Sequence, residues 1–72
     1  MLTVYVRLGC HLCYQVREWL LHHQIEHQLV DIDTDDGLKA QYDWLVPVVY
    51  RHDIDRELLF PFTESQLLEF VL

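Results

Sequence analysis

The sequence predicts an α/β domain with elements in the order β-α-β-α-β-β-α, forming a four-stranded mixed sheet with helices on both faces. Three observations predict it. Apolar stretches of strand length recur at residues 2–7, 27–32, 46–50 and 57–60. Segments with helical spacing or helix-start signals separate the first three stretches and follow the last. A close pair of cysteines, Cys10 and Cys13, falls where the first strand ends and the first helix begins.

Leu2, Val4, Tyr5 and Val6 suit a strand buried on both faces, and Gly9 breaks the pattern. From His11 to about Gln24, the spacing of Leu12, Val16, Trp19, Leu20 and His23 gives one helical face, with Gln15, Arg17 and Glu18 on the other. Leu29, Val30 and Ile32 mark a second strand over His27 to Ile32. The acidic run Asp31 to Asp36 then supplies N-cap candidates and first-turn acids for a short helix through Leu38, Ala40 and Tyr42, weakened by Gly37. Capping is preferred to a calcium loop, because the run lacks the length and the terminal Glu that calcium needs.

A third strand covers Val46 to Tyr50, with Pro47 at its mouth. Arg51 to Arg56 is a polar turn, and Glu57 to Phe60 is a short fourth strand. Thr63-Glu64-Ser65-Gln66 reads as a capping box before a last helix, whose buried stripe is Leu67, Leu68, Val71 and Leu72. Strands separated by helices are expected to be parallel, and the last two to form an antiparallel hairpin. Trp19 and Trp44 read as core or edge packing.

At 72 residues the chain is expected to be a single domain, 1–72, near the lower limit for unaided folding. Cores of this size rarely contribute more than roughly 3–5 kcal/mol, so every element must pack. Twelve acidic residues against five Lys and Arg give a net charge of −7, which argues against nucleic acid and gives no attraction to anionic lipid. No apolar run approaches the ~20 residues of a membrane-spanning helix, and no basic-then-apolar leader precedes the first strand. The expectation is a soluble cytoplasmic monomer, a compartment where a close cysteine pair is catalytic or metal-binding rather than structural.

Two cysteines separated by two residues hold a metal or cycle between dithiol and disulfide. Cys10, Cys13, His23 and His27 fall as C-x2-C-x9-H-x3-H, near a zinc-finger pattern but with a short central spacing. Cys13 and His23 would lie on one rigid helix, about 15 Å apart at 1.5 Å per residue, too far for one ion. No metal ligand set is assigned, and His27 and His52 are read as surface residues.

For disulfide exchange, Cys10 is the candidate nucleophile: it precedes a helix whose N–H groups and positive end favour a thiolate. Cys13, one turn on, is the candidate resolving thiol and should be the more buried. Pro47 is the candidate for the surface that holds a substrate beside the sulfurs. A cis Val46–Pro47 bond would leave the Val46 backbone free to pair with a substrate strand; the sequence leaves the isomer open. His11, when protonated, would stabilise the Cys10 thiolate; the other reading is a solvated loop histidine. His22 and His23 complement the negative end of the first helix.

These residues together resemble the glutaredoxin-like branch of the thioredoxin superfamily, over nearly the whole chain. The strand, Cys10-His11-Leu12-Cys13, the helix, Asp31-Ile32-Asp33, Leu45-Val46-Pro47 and the closing helix fall in that family's order, and the chain would be a small, atypical member. The resemblance implies the thioredoxin-like fold, a cis-proline facing the cysteines, and disulfide reduction, often with glutathione as electron donor. It implies Cys10 as nucleophile, Cys13 as resolving thiol, and a substrate-binding surface of Arg7, His11, Leu12, Val46, Pro47 and Thr63. Arg7 matches the basic position near the glycine carboxylate of glutathione; an ordinary end-of-strand charge is the alternative.

Three features depart from the pattern. His11 and Leu12 replace the usual Pro-Tyr pair between the cysteines. Phe60-Pro61-Phe62 stands where glutaredoxins carry Gly-Gly. Val4 stands where thioredoxins carry a buried carboxylate. The expected function is a thiol–disulfide oxidoreductase acting on protein or glutathione mixed disulfides, with no bound cofactor. The alternatives are a non-catalytic interaction module with a structural disulfide, a metal or iron–sulfur carrier, and a protein reduced by a thioredoxin-reductase-type enzyme.

Overall fold

The computed structural model describes residues 1–72. Its elements are β1 (Leu2–Val6), α1 (His11–His22), β2 (Gln28–Asp31), a 3-10 turn (Ile32–Thr34), α2 (Asp36–Tyr42), β3 (Val48–Arg51), β4 (Arg56–Leu59) and α3 (Glu64–Val71). The four strands form one mixed sheet in the order β2-β1-β3-β4. β1 and β2 pair in parallel, with Val6 opposite Asp31. β3 and β4 form the expected antiparallel hairpin.

The direction of β3 corrects the sequence expectation. It runs antiparallel to β1, with Val48 opposite Tyr5 and Arg51 opposite Leu2. A parallel return needs a connection running the length of the strands, about 15 Å at 3.3 Å per residue. The seven-residue α2 spans only about 10 Å, and the chain re-enters the sheet at the end where β2 leaves it. The end of β1, the end of β2 and the start of β3 therefore share one edge of the molecule, and α1 starts from that edge.

Alternation along the strands sorts side chains to two cores. Leu2, Val4 and Val49 face α1 and α3, where they meet Val16, Leu20, Phe62 and Leu67. Val48 faces the other way and packs with Ile32 and Tyr42, against which Tyr5, Leu38 and Val46 lie. Tyr5 and Tyr42 stack with ring centroids 4.7 Å apart.

α1 stops two residues before its expected end because Gln24 adopts a left-handed φ of 56°. The N–H groups of Ile25 and Gln24 fold back on the carbonyls of Leu20 and Leu21, at 2.9 and 3.1 Å. The buried face of α1 is Cys13, Val16 and Leu20, while Leu12 and His23 are exposed, contrary to the face read from sequence. Asp31 caps the 3-10 turn and Asp35 caps α2, accepting from Gly37 and Leu38, so the acidic run does serve as helix caps. Ile32 leaves the second strand for the 3-10 turn, and Pro47 stands one residue before β3. In α3, Leu67 is buried and Leu68 and Val71 are half-buried, but Leu72 is exposed beyond the last turn. Trp44 is 90% exposed, not packed as the sequence suggested.

Candidate active site

Local residues build the turn that carries the cysteines. The Cys10 N–H donates to the Arg7 carbonyl at 3.1 Å, and Gly9 takes φ 79°, a region that glycine enters without a Cβ penalty. Cys10 is the N-cap of α1, with extended backbone, and its sulfur accepts the Cys13 N–H at 3.1 Å. Sulfur thus occupies the place that a hydroxyl or carboxylate oxygen takes at most helix starts. A negative charge on that sulfur is favoured by the N–H it already receives and by the positive helix end. No acidic residue lies in the first turn to oppose it.

Cys10 and Cys13 are joined in a disulfide with their Cα atoms 5.2 Å apart. Their access differs. Cys13 is 3% exposed, whereas Cys10 is half-buried, so an incoming group meets Cys10 first. His11 and Leu12, between them, are both exposed, and the His11 ring makes no hydrogen bond within the chain.

Pro47 is buried at the mouth of β3, one residue from the Tyr5–Val48 pair and therefore at the same sheet end as the cysteine turn. The Val46–Pro47 bond is cis, as is Phe60–Pro61. Val46 lies outside every helix and strand, and its backbone N–H and C=O take no part in the turn and loop hydrogen bonds. Leu8 and Trp44, on the two loops of this end, are 82% and 90% exposed, and Leu45 is exposed beside them.

Arg7 is committed within the chain. Its Nε and Nη2 bind both oxygens of Asp33 at 2.9–3.2 Å, its Nη1 donates to the Asp43 carbonyl at 3.0 Å, and Nη2 reaches the Asp43 carboxylate at 2.5 Å. The hydrogen bond that Arg7 donates to Asp33, then that to Asp43, raise the Arg7 pKa, and the bond accepted from Arg7 lowers that of Asp33. The guanidinium ties the end of β1 to the 3-10 turn and to the loop before Pro47.

Thr63 is committed as well. It caps α3: its hydroxyl accepts the Gln66 N–H at 3.1 Å and its own N–H donates to the Gln66 side chain at 2.8 Å. Glu64 pairs with His23 at 2.8 Å, and Phe62 packs on Trp19, so the start of α3 is held against the second half of α1. No group of three or more His, Cys, Asp or Glu is placed to hold a metal ion: His27 bonds the Ile25 carbonyl and His52 the Thr3 hydroxyl.

The family model for the Glutaredoxin-like domain (DUF836) matches residues 1–72. The chain belongs to the glutaredoxin-like family. Solved structures agree with that placement. The X-ray structure of structural-genomics target protein XcR50 from X. campestris superposes with a TM-score of 0.87 at 37% identity, covering 97% of this chain and 93% of that one. The solution structure of protein Ne2328 from Nitrosomonas europaea gives 0.79 at 33% identity, with coverages of 99% and 88%. No curated protein gives a significant match.

This glutaredoxin-like protein brings Cys10, Cys13, Arg7, Val46 and Pro47 to one end of the sheet, with His11 and Leu12 exposed between the cysteines. Thr63 follows β4, whose Leu59 pairs with Val48 at that same end, and its hydrogen bonds go to the cap of α3. Sequence reasoning passed over Asp33 and Asp43 as partners of Arg7, and Asp31, Tyr14 and Arg17, which line a cleft with Cys13. Their signal is a distance: Arg7 and Asp33 are 26 residues apart, and only the pairing of β1 with β2 brings them together.

Proposed function

We propose that this protein is a thiol–disulfide oxidoreductase in which Cys10 is the nucleophile and Cys13 the resolving thiol. The observation that carries the reading is the Cys10 sulfur at the N-cap of α1, accepting the Cys13 N–H at 3.1 Å while Cys13 itself is buried. In the reduced protein the Cys10 thiolate attacks one sulfur of a substrate disulfide, forming a mixed disulfide and releasing a thiolate. Cys13 then displaces the second substrate thiolate, so the two cysteines are oxidised as the substrate disulfide is reduced.

A disulfide carried by a polypeptide is the proposed substrate. The unpaired Val46 backbone supports it by offering hydrogen bonds to an extended chain, and exposed Leu8, Trp44 and Leu45 offer apolar contact. Glutathione as electron donor is a separate proposal, supported by the family. The engagement of Arg7 with Asp33 and Asp43 favours a donor that does not need this guanidinium. No helix is long and apolar enough to cross a membrane, and the proposed setting is the reducing cytoplasm.

Reduction of insulin by dithiothreitol tests the reading. The protein should accelerate it and Cys10→Ser should abolish the acceleration; equal rates with and without protein refute it. Recycling by glutathione, compared with recycling by a thioredoxin-reductase-type enzyme, identifies the donor.

A further inference from the structure

Resting on that function, we propose that Asp31 is the proton acceptor for Cys13 in the resolving step, acting through water in the cleft that the two residues share. A thiol 3% exposed to solvent attacks only as a thiolate, so its proton must reach a base before the new disulfide forms. Behind the first turn of α1 lies a cleft of about 270 Å³, walled by Val6, Leu29 and Cys13, with Asp31 and the side chains of Tyr14 and Arg17 around it. That volume holds several waters, since a water's share of the liquid is about 30 Å³.

Asp31 is the only base among the residues around the cleft. Arg7 and Arg17 carry guanidinium groups, which donate hydrogen bonds and accept none, and Tyr14 carries a phenol. One Asp31 oxygen, Oδ1, accepts the Asp33 N–H at 2.9 Å and anchors the side chain at the end of β2. Oδ2 makes no hydrogen bond within the chain and is left to receive a proton. The charged groups that line the cleft with this carboxylate are Arg7, just after β1, and Arg17 on α1; Arg7 is paired with Asp33 and Asp43.

The step balances. The Cys13 S–H gives its proton through water to the Asp31 carboxylate, and the thiolate attacks the Cys10 sulfur of the mixed disulfide. The Cys10–substrate S–S bond breaks, its electron pair leaves on the substrate sulfur, and the Cys10–Cys13 bond forms. The proton on Asp31 then passes to solvent or to the departing thiolate.

The test is a stopped-flow reaction of the fully reduced protein with 4,4′-dithiodipyridine, which releases one thiopyridone when Cys10 attacks and a second when Cys13 resolves. In Asp31→Asn, whose amide oxygen can still accept the Asp33 N–H, the second phase should slow about tenfold or more relative to the first at pH 7. Its rate should then climb about tenfold per pH unit from pH 6 to 8, following the thiol's own ionisation. Asp31→Glu should restore much of the ratio. A fast first phase with the same phase ratio and pH profile in Asp31→Asn and the parent overturns the role of Asp31 and leaves the nucleophile standing. A first phase no faster than that of a free cysteine peptide overturns the oxidoreductase reading, and this proposal with it.

Discussion

The Arg7 guanidinium grips both oxygens of the Asp33 carboxylate, at 2.9–3.2 Å, across 26 residues of chain. With Asp43 on the same guanidinium, three loops of the cysteine-bearing end are tied by one side chain. A basic residue three positions before Cys10 suggests either a ligand-binding cation or an end-of-strand charge; in the folded chain its guanidinium holds Asp33 and Asp43.

The clamp predicts an acid-sensitive component of stability. The Arg7 hydrogen bond holds the Asp33 carboxyl below its ordinary value of 3.8, so the folded state favours the charged form. The contribution is present above that ordinary value and is lost as pH falls through the depressed one. Urea unfolding of the parent and Asp33→Asn should differ by a constant amount above about pH 5 and converge in stronger acid. A difference that stays constant down to pH 2 contradicts the clamp.

At the other pH extreme, Tyr42 predicts an alkaline limb. Burial, then its hydrogen bond to Glu57, raises its phenol above the usual value of 10.0, so folding favours the neutral form. Stability is complete below pH 10 and declines as pH rises from there toward the raised value. Tyr42→Phe should cost about 1 kcal/mol at neutral pH and flatten that decline. An unaltered alkaline slope in the variant contradicts the assignment.

Core and surface should separate cleanly in mutation. Leu67 is fully buried between α3 and the sheet, and Leu67→Ala should cost about 2–5 kcal/mol, comparable to all that so small a core supplies. The expected result is loss of the cooperative urea transition. Trp44→Ala, at a residue 90% exposed, should change stability by less than about 0.5 kcal/mol yet slow reduction of polypeptide disulfides. Equal activity toward insulin in Trp44→Ala and the parent would remove Trp44 from the docking surface.

What could be read from the sequence was what local chemistry determines. The capping box of Thr63 and Gln66, the Asp35 cap of α2 and the cysteine turn after Gly9 each involve residues within four positions, and each forms as expected. What escaped depends on residues far apart. The direction of β3 follows from the short α2, which returns the chain to the sheet at the end where β2 leaves it, Trp44 is exposed on the loop between α2 and β3, and the partners of Arg7 meet only after β2 pairs with β1. For the site, the two cysteines and Pro47 were legible, while the cleft behind Cys13 is a product of packing.

Removing the resolving thiol should stall the reaction midway. Cys13→Ser, mixed with a disulfide peptide, should accumulate a Cys10–peptide adduct that mass spectrometry detects by its added mass. Full turnover by Cys13→Ser with a dithiol-dependent substrate, and no adduct, contradicts the resolving role.

The most direct measurement is the rate of iodoacetamide alkylation of each cysteine in the reduced protein between pH 4 and 10, resolved by peptide mass spectrometry. A Cys10 sulfur held at the N-cap of α1 should alkylate well below pH 8, with Cys13 protected throughout. Equal and slow alkylation of both, rising only near the ordinary thiol value of about 8.5, would contradict the account.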